Sequence, residues 1–129
     1  MFNNQIVIAA IRIDVANSAE ASARPELLAG AIESVRNTGL VDVVVVLTDS
    51  ESALSAARAN NAVDRFVGAS VSLDEALDGL LDSEDGFIDE DENPWVLVFD
   101  LSFDDNRAKA LAAAAQNGQP GDLRRLRRG

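Results

Sequence analysis

The chain contains no cysteine and no histidine. Without cysteine it can form neither a disulfide nor a thiolate metal site. Without histidine it has no imidazole to bind zinc, to complete a serine–histidine triad or to act as a general base. No apolar run approaches the roughly 18–20 residues that cross a bilayer, so no membrane association is expected. Residues 1–10 lack a basic start, an apolar stretch and a small-residue cleavage site, so no signal peptide is expected either. Lysine is almost absent: of the eleven basic residues, Lys109 is the one that is not arginine. With abundant alanine, valine and aspartate, that usage suits a high-GC bacterium or its phage. The expected location is the cytoplasm, or the virion if the chain is phage-derived. Glycine is missing at one informative place. The run "IVIAAIRIDVAN", residues 6–17, begins as a buried strand and leads into a turn expected at Ile11–Val15, with no glycine in it. A backbone that passes close to phosphates ordinarily needs glycine at such a turn.

What is present is ordinary for a globular protein: 129 residues, 47% hydrophobic and 26% charged. The length suits one domain with a real core. We expect that domain at 1–118, carrying a solvated acidic loop at 82–94, with an arginine-rich tail at 119–129. The net charge of −11 disfavours nucleic acid and anionic membranes as partners. The charge is uneven. Seven of the eleven residues from Asp82 to Glu92 are acidic, whereas "LRRLRRG" at the end carries Arg124, Arg125, Arg127 and Arg128.

Hydrophobic patterning predicts an α/β fold. "NQIVIAAI" and "VDVVVVLTD" are near-continuous β-branched runs, the mark of parallel strands covered on both faces. "NPWVLVFDLS" reads as a third strong strand behind Pro94, and "DRFVGAS" as a shorter, weaker one. Helical patterns lie between and after them. "RPELLAGAIESVRNTG" has Pro25 in its first turn and Gly39 as its stop; "DSESALSAARANN" opens with Asp49 or Ser50 as cap. "SLDEALDGLLDS" has Ser72 and Glu75 at capping-box spacing, and "DDNRAKALAAAAQNG" is alanine-rich. Strict alternation of strand and helix implies a three-layer, mainly parallel, Rossmann-like sheet of about four strands with right-handed crossovers. Gly68 and Gly79 read as turn and packing positions, and Trp95 as core.

From about Gln5 to about Phe103 the pieces, in this order, resemble the N-terminal half of nucleotidyltransferases with a glycosyltransferase-A-like fold. They are closest to the methylerythritol-phosphate cytidylyltransferases and more distant from the molybdopterin guanylyltransferases. The resemblance rests on "IVIAA", "PELLAGAIESVRNTGLVDVVVVLTD", "VGASVSLDEALDGL" and "WVLVFDLS". It implies a nucleotidyltransferase-like fold, and it places Asp100 where the family has a strand-end aspartate beside nucleotide and Mg²⁺. The rest of the family's chemistry is degenerate. Ile11 and Ile13 stand at the two glycines of the phosphate loop, Val15 at its arginine, and Arg24 is the one basic residue near the lost lysine. Ser72 and Glu75 replace the arginine and serine that help hold the base, and Phe99 replaces the histidine before the strand-end aspartate. The family's further strands, which hold the second substrate, have no counterpart, so the resemblance describes a truncated member.

Asp14, Asp49 and Asp100 are the candidate nucleotide or metal carboxylates, because ligands of α/β sheets gather at the carboxyl ends of the strands. Mg²⁺ would be the expected ion for such oxygen ligands. With Arg12 as the single obvious nearby cation, charge neutralisation for nucleotidyl transfer is missing. Turn and helix capping is the competing role for Asp49 and Asp100. "DGFIDEDE" resembles part of a calcium loop, but Leu81 falls at the first ligand position, which favours a solvated acidic loop. The tail arginines read as protein-contacting, onto an acidic surface of the same chain or a neighbour's. The expectation is a catalytically inactive nucleotidyltransferase-like domain that binds a protein partner or its own copies, with no cofactor and no catalytic residues. The alternative is a small Mg²⁺-dependent nucleotide-binding enzyme completed by a partner chain. A flavodoxin-like or response-regulator-like domain would instead require a fifth strand with a functional lysine, and no such strand is read here.

Overall fold

A computed structural model describes Phe2 and residues 5–13, 25–68, 70–81, 94–118 and 123–125. Strand β1 (Val7–Ile13) leads to helix α1 (Pro25–Arg36), then β2 (Val43–Thr48) and α2 (Glu51–Ala59). Next come β3 (Val63–Phe66), α3 (Leu73–Leu81), β4 (Trp95–Phe99), α4 (Asp105–Gln116) and β5 (Leu123–Arg125). The sheet order is β3-β2-β1-β4-β5, with β3, β2, β1 and β4 parallel and β5 antiparallel to β4. The expected α/β class and the alternation of elements are therefore observed, and "DRFVGAS" does contribute a strand.

Three local expectations need correcting. The chain does not turn at Ile11. β1 continues in register with β2 through Ile13 opposite Thr48, because Ile11 and Ile13 alternate onto one face while Arg12 takes the other. The tail contributes a fifth strand: Leu123 is buried and pairs with Leu97, although two of its three residues are arginines with no apolar pattern to announce them. That strand runs antiparallel at the sheet edge and carries no lysine, which separates the fold from the all-parallel flavodoxin-like order. Gly79 is no packing position, since a Cβ there would meet nothing within 4 Å.

Alternation within the strands divides the core in two. Val7, Ala9, Ile11 and Ile13 join Val44, Val46, Leu97 and Phe99 under helices α1, α2 and α4. Ile8, Ala10, Val45, Leu47 and Val96 face the other way, against Ala76 and Leu77 of α3. Helix boundaries follow their caps. Ser50, with extended backbone, accepts the Ala53 N–H through Oγ at 3.3 Å, so it and not Asp49 caps α2. Asp104 accepts from Arg107 N at 2.9 Å to start α4. Gly39 adopts a φ of +74° just past α1, where a side chain would be strained.

Candidate functional site

The two connections β1–α1–β2 and β2–α2–β3 progress in one direction across the sheet, and β4 then falls on the other side of β1. The reversal lies between β1 and β4, and the crevice beyond their carboxyl ends is where open α/β sheets bind ligands. Ile11 pairs with Phe99, so Arg12 and Asp100 are the next residues at that reversal. Asp49 follows Thr48 at the carboxyl end of β2. Asp49 and Asp100 thus lie on one edge of the sheet, as their positions after strands require. Asp14 lies outside the described residues.

The carboxyl end of β1 is sealed into the core. Ile11 and Ile13 are each 1% exposed and sit in the core beneath α1, α2 and α4. Their β-branched side chains favour extended backbone. Arg12 projects to the α3 face, where its Nη2 donates to the Gly68 carbonyl at 3.2 Å in a half-buried setting.

Asp100 is committed to its own turn. One oxygen, Oδ1, accepts the Ser102 N–H at 2.9 Å and the Ser102 hydroxyl. Arg107, in the first turn of α4, reaches that oxygen at 3.8 Å, and its guanidinium lies 5.6 Å from the centre of the Phe103 ring. The Ser102 hydroxyl foremost holds the Asp100 carboxyl below its ordinary value of 3.8; burial opposes it next in size, and the Ser102 N–H and the Arg107 charge add smaller lowering effects. The side chain is nonetheless 72% exposed. This is the geometry of a turn-capping aspartate. Among the described residues no group of three carboxylates converges to hold a metal ion.

Of the tail arginines, Arg124 and Arg125 lie elsewhere. Arg124 pairs with Val96 across the β4–β5 ladder and reaches Asp74 of α3 at 3.3 Å. Arg125, opposite Trp95, stacks 5.1 Å above the indole ring, which Phe2 meets edge-on at 5.4 Å. Trp95 is consequently half-buried between Phe2 and Arg125 as well as packed on the core. Arg127, Arg128, Arg24, Val15 and the acidic loop after Asp82 lie outside the described residues. Sequence reasoning had no means to find the Asp100–Ser102–Arg107 cluster as a unit. Its one signal was the spacing of Asp100, Ser102 and Arg107 around a strand end.

A four-strand parallel core reversing between β1 and β4, with an antiparallel fifth strand, defines a nucleotidyltransferase-like, Rossmann-like α/β fold. No protein-family model matches the chain, and no curated protein matches it. Among solved structures it is similar to 4-diphosphocytidyl-2C-methyl-D-erythritol synthase from Anaerococcus prevotii, with a TM-score of 0.55 and 14% sequence identity. The similarity covers 85% of this chain and 50% of that one, so the chain spans about half the length of the enzyme it resembles. Among the described residues no helix is long and apolar enough to cross a membrane.

Proposed function

We propose that the chain is a catalytically inactive nucleotidyltransferase-like domain that serves as a protein-binding or assembly component. The observation that carries this reading is the seal at β1. Where the resemblance expects a glycine loop open to phosphates, Ile11 and Ile13 are core residues of a strand paired through Thr48. A triphosphate needs backbone N–H groups and cations aimed at it. Here Arg12 is bonded to Gly68, and Arg107 lies against the Asp100 turn. A partner protein, or a second copy, is the natural occupant of a sheet whose β3 has no second strand neighbour among the described residues and bears Phe66, 71% exposed.

The second reading, a small Mg²⁺-dependent nucleotide-binding enzyme, draws its support from Asp49 and Asp100 sharing one sheet edge. Titration calorimetry of the full chain with CTP, GTP and ATP in Mg²⁺ separates the two. The inactive reading expects no binding heat. Micromolar binding that disappears in Asp100→Ala overturns it in favour of the second. The assembly role is tested by the mass of the protein in solution, alone and from its source: a lone monomer in both sinks it.

A further inference from the structure

Helix α3 is the one described helix on its face of the sheet, and it stands on a small apolar footing. Ala76 and Leu77 are its buried side chains among those described, with Leu73 half-buried beside them. Two arginines from the sheet reach the helix or the turn that leads into it. Arg124 of β5 meets Asp74 in the first helical turn, and both side chains are largely exposed. Exposed ion pairs of that kind contribute little. Arg12 is different. It leaves the carboxyl end of β1, passes to the α3 side and donates to the Gly68 carbonyl, half-buried. The same carbonyl accepts the Val71 N–H at 3.1 Å, closing the turn that delivers the chain into α3. One residue on, Ser72 caps the helix: its hydroxyl takes the Glu75 N–H at 3.1 Å and its carbonyl the Ala76 N–H at 3.0 Å.

One guanidinium on the central strand is thereby joined to the turn that sets where α3 begins. The turn is otherwise anchored through the Val67 N–H on the Thr48 carbonyl at 3.0 Å. We propose that Arg12 is a strap: it holds the Gly68–Val71 turn against the carboxyl end of the sheet and so fixes the docking of α3. The strap is a conformational device of the fold, and it stands whether or not the domain proves to bind nucleotide. It predicts that α3 and its leading turn open as a local unit when the charged donor is removed, while β1 and β2 stay closed.

The test is amide hydrogen exchange on the full chain. Arg12→Met keeps the aliphatic stem and removes the donors; Arg12→Lys keeps a charged donor. Loss of a hydrogen bond from a charged group accelerates local opening by about ten- to a hundredfold. That acceleration is expected in Arg12→Met at the Val71, Glu75 and Ala76 amides, without change at Ala9 or Val45, and largely reversed in Arg12→Lys. Unchanged exchange at Val71 and Ala76 overturns the strap, and so does equal acceleration throughout the sheet, which marks a merely structural residue. Should Arg12→Met fail to fold, the unaltered protein decides. A strapped guanidinium shows separate, slowly exchanging Nη resonances, and a single averaged signal overturns the proposal.

Discussion

Ile11 and Ile13 are single residues whose replacement tests the seal directly. Each is buried to 1% exposure in the larger of the two clusters, so truncation removes packed methyl groups and leaves a cavity. Ile11→Ala should cost about 2–5 kcal/mol in chemical denaturation. A cost below ~1 kcal/mol would show a site able to collapse or one already open to solvent. Asp100 offers a finer test. Its carboxyl is held down first by the Ser102 hydroxyl and only last by the Arg107 charge. In an NMR titration, Ser102→Ala should raise the Asp100 midpoint more than Arg107→Ala does. The reverse order would mean that the 3.8 Å charge contact outweighs the direct hydrogen bond.

At the scale of elements, most of the structure was legible because local chemistry and tertiary packing agree. The β-branched runs of β1 and β2, Pro25 ahead of α1, Gly39 behind it and Ser72 ahead of α3 each mark what the fold uses. Legibility failed where one residue type serves two ends. Ile11–Ile13 read as a turn because the comparison with phosphate loops puts a loop there, while the pattern of two inward isoleucines flanking Arg12 is that of a strand. β5 stayed hidden because a three-residue edge strand needs a single inward side chain, Leu123, and the rest of its stabilisation comes from long-range partners. Of the candidate site, the edge position of Asp49 and Asp100 was legible from their places after strands. The commitment of Asp100 to Ser102 was not, because turn geometry is settled by where α4 begins. Gly79 gives the element-scale prediction. It is exposed within α3 with open space around its absent Cβ, so Gly79→Ala should stabilise the protein by about 0.5–1 kcal/mol. That corresponds to a rise of roughly 2–4 °C in Tm by circular dichroism. A loss of stability would place a neighbour against that helix face.

The whole molecule carries a net charge of −11 and no histidine, and the pH dependence of its stability follows from both. No side chain present ordinarily titrates between about pH 5 and 8. With an α-amino group exposed in both states, folded and unfolded chains should therefore bind equal numbers of protons there, and the slope of stability against pH should vanish. Below that range, among the described carboxyls, Asp64 and Asp100 contribute with a definite sign. Asp64, hydrogen-bonded by Arg58 at 2.8 Å, and Asp100, bonded by Ser102, both have carboxyls below their ordinary value of 3.8 in the folded state. Each contributes stability that is present above that value and is lost as the pH falls through the lower folded one. Tm measured at constant ionic strength should accordingly be level from pH 6 to 8 and decline below about pH 4. A marked slope between 6 and 8 would require a displaced α-amino group, which ordinarily titrates at about 7.7–8.0, or a carboxyl driven up toward neutrality. Such a carboxyl is the signature of a working acid or base at an active site, so the same scan that tests the electrostatics of the fold also tests whether its chemistry has been lost.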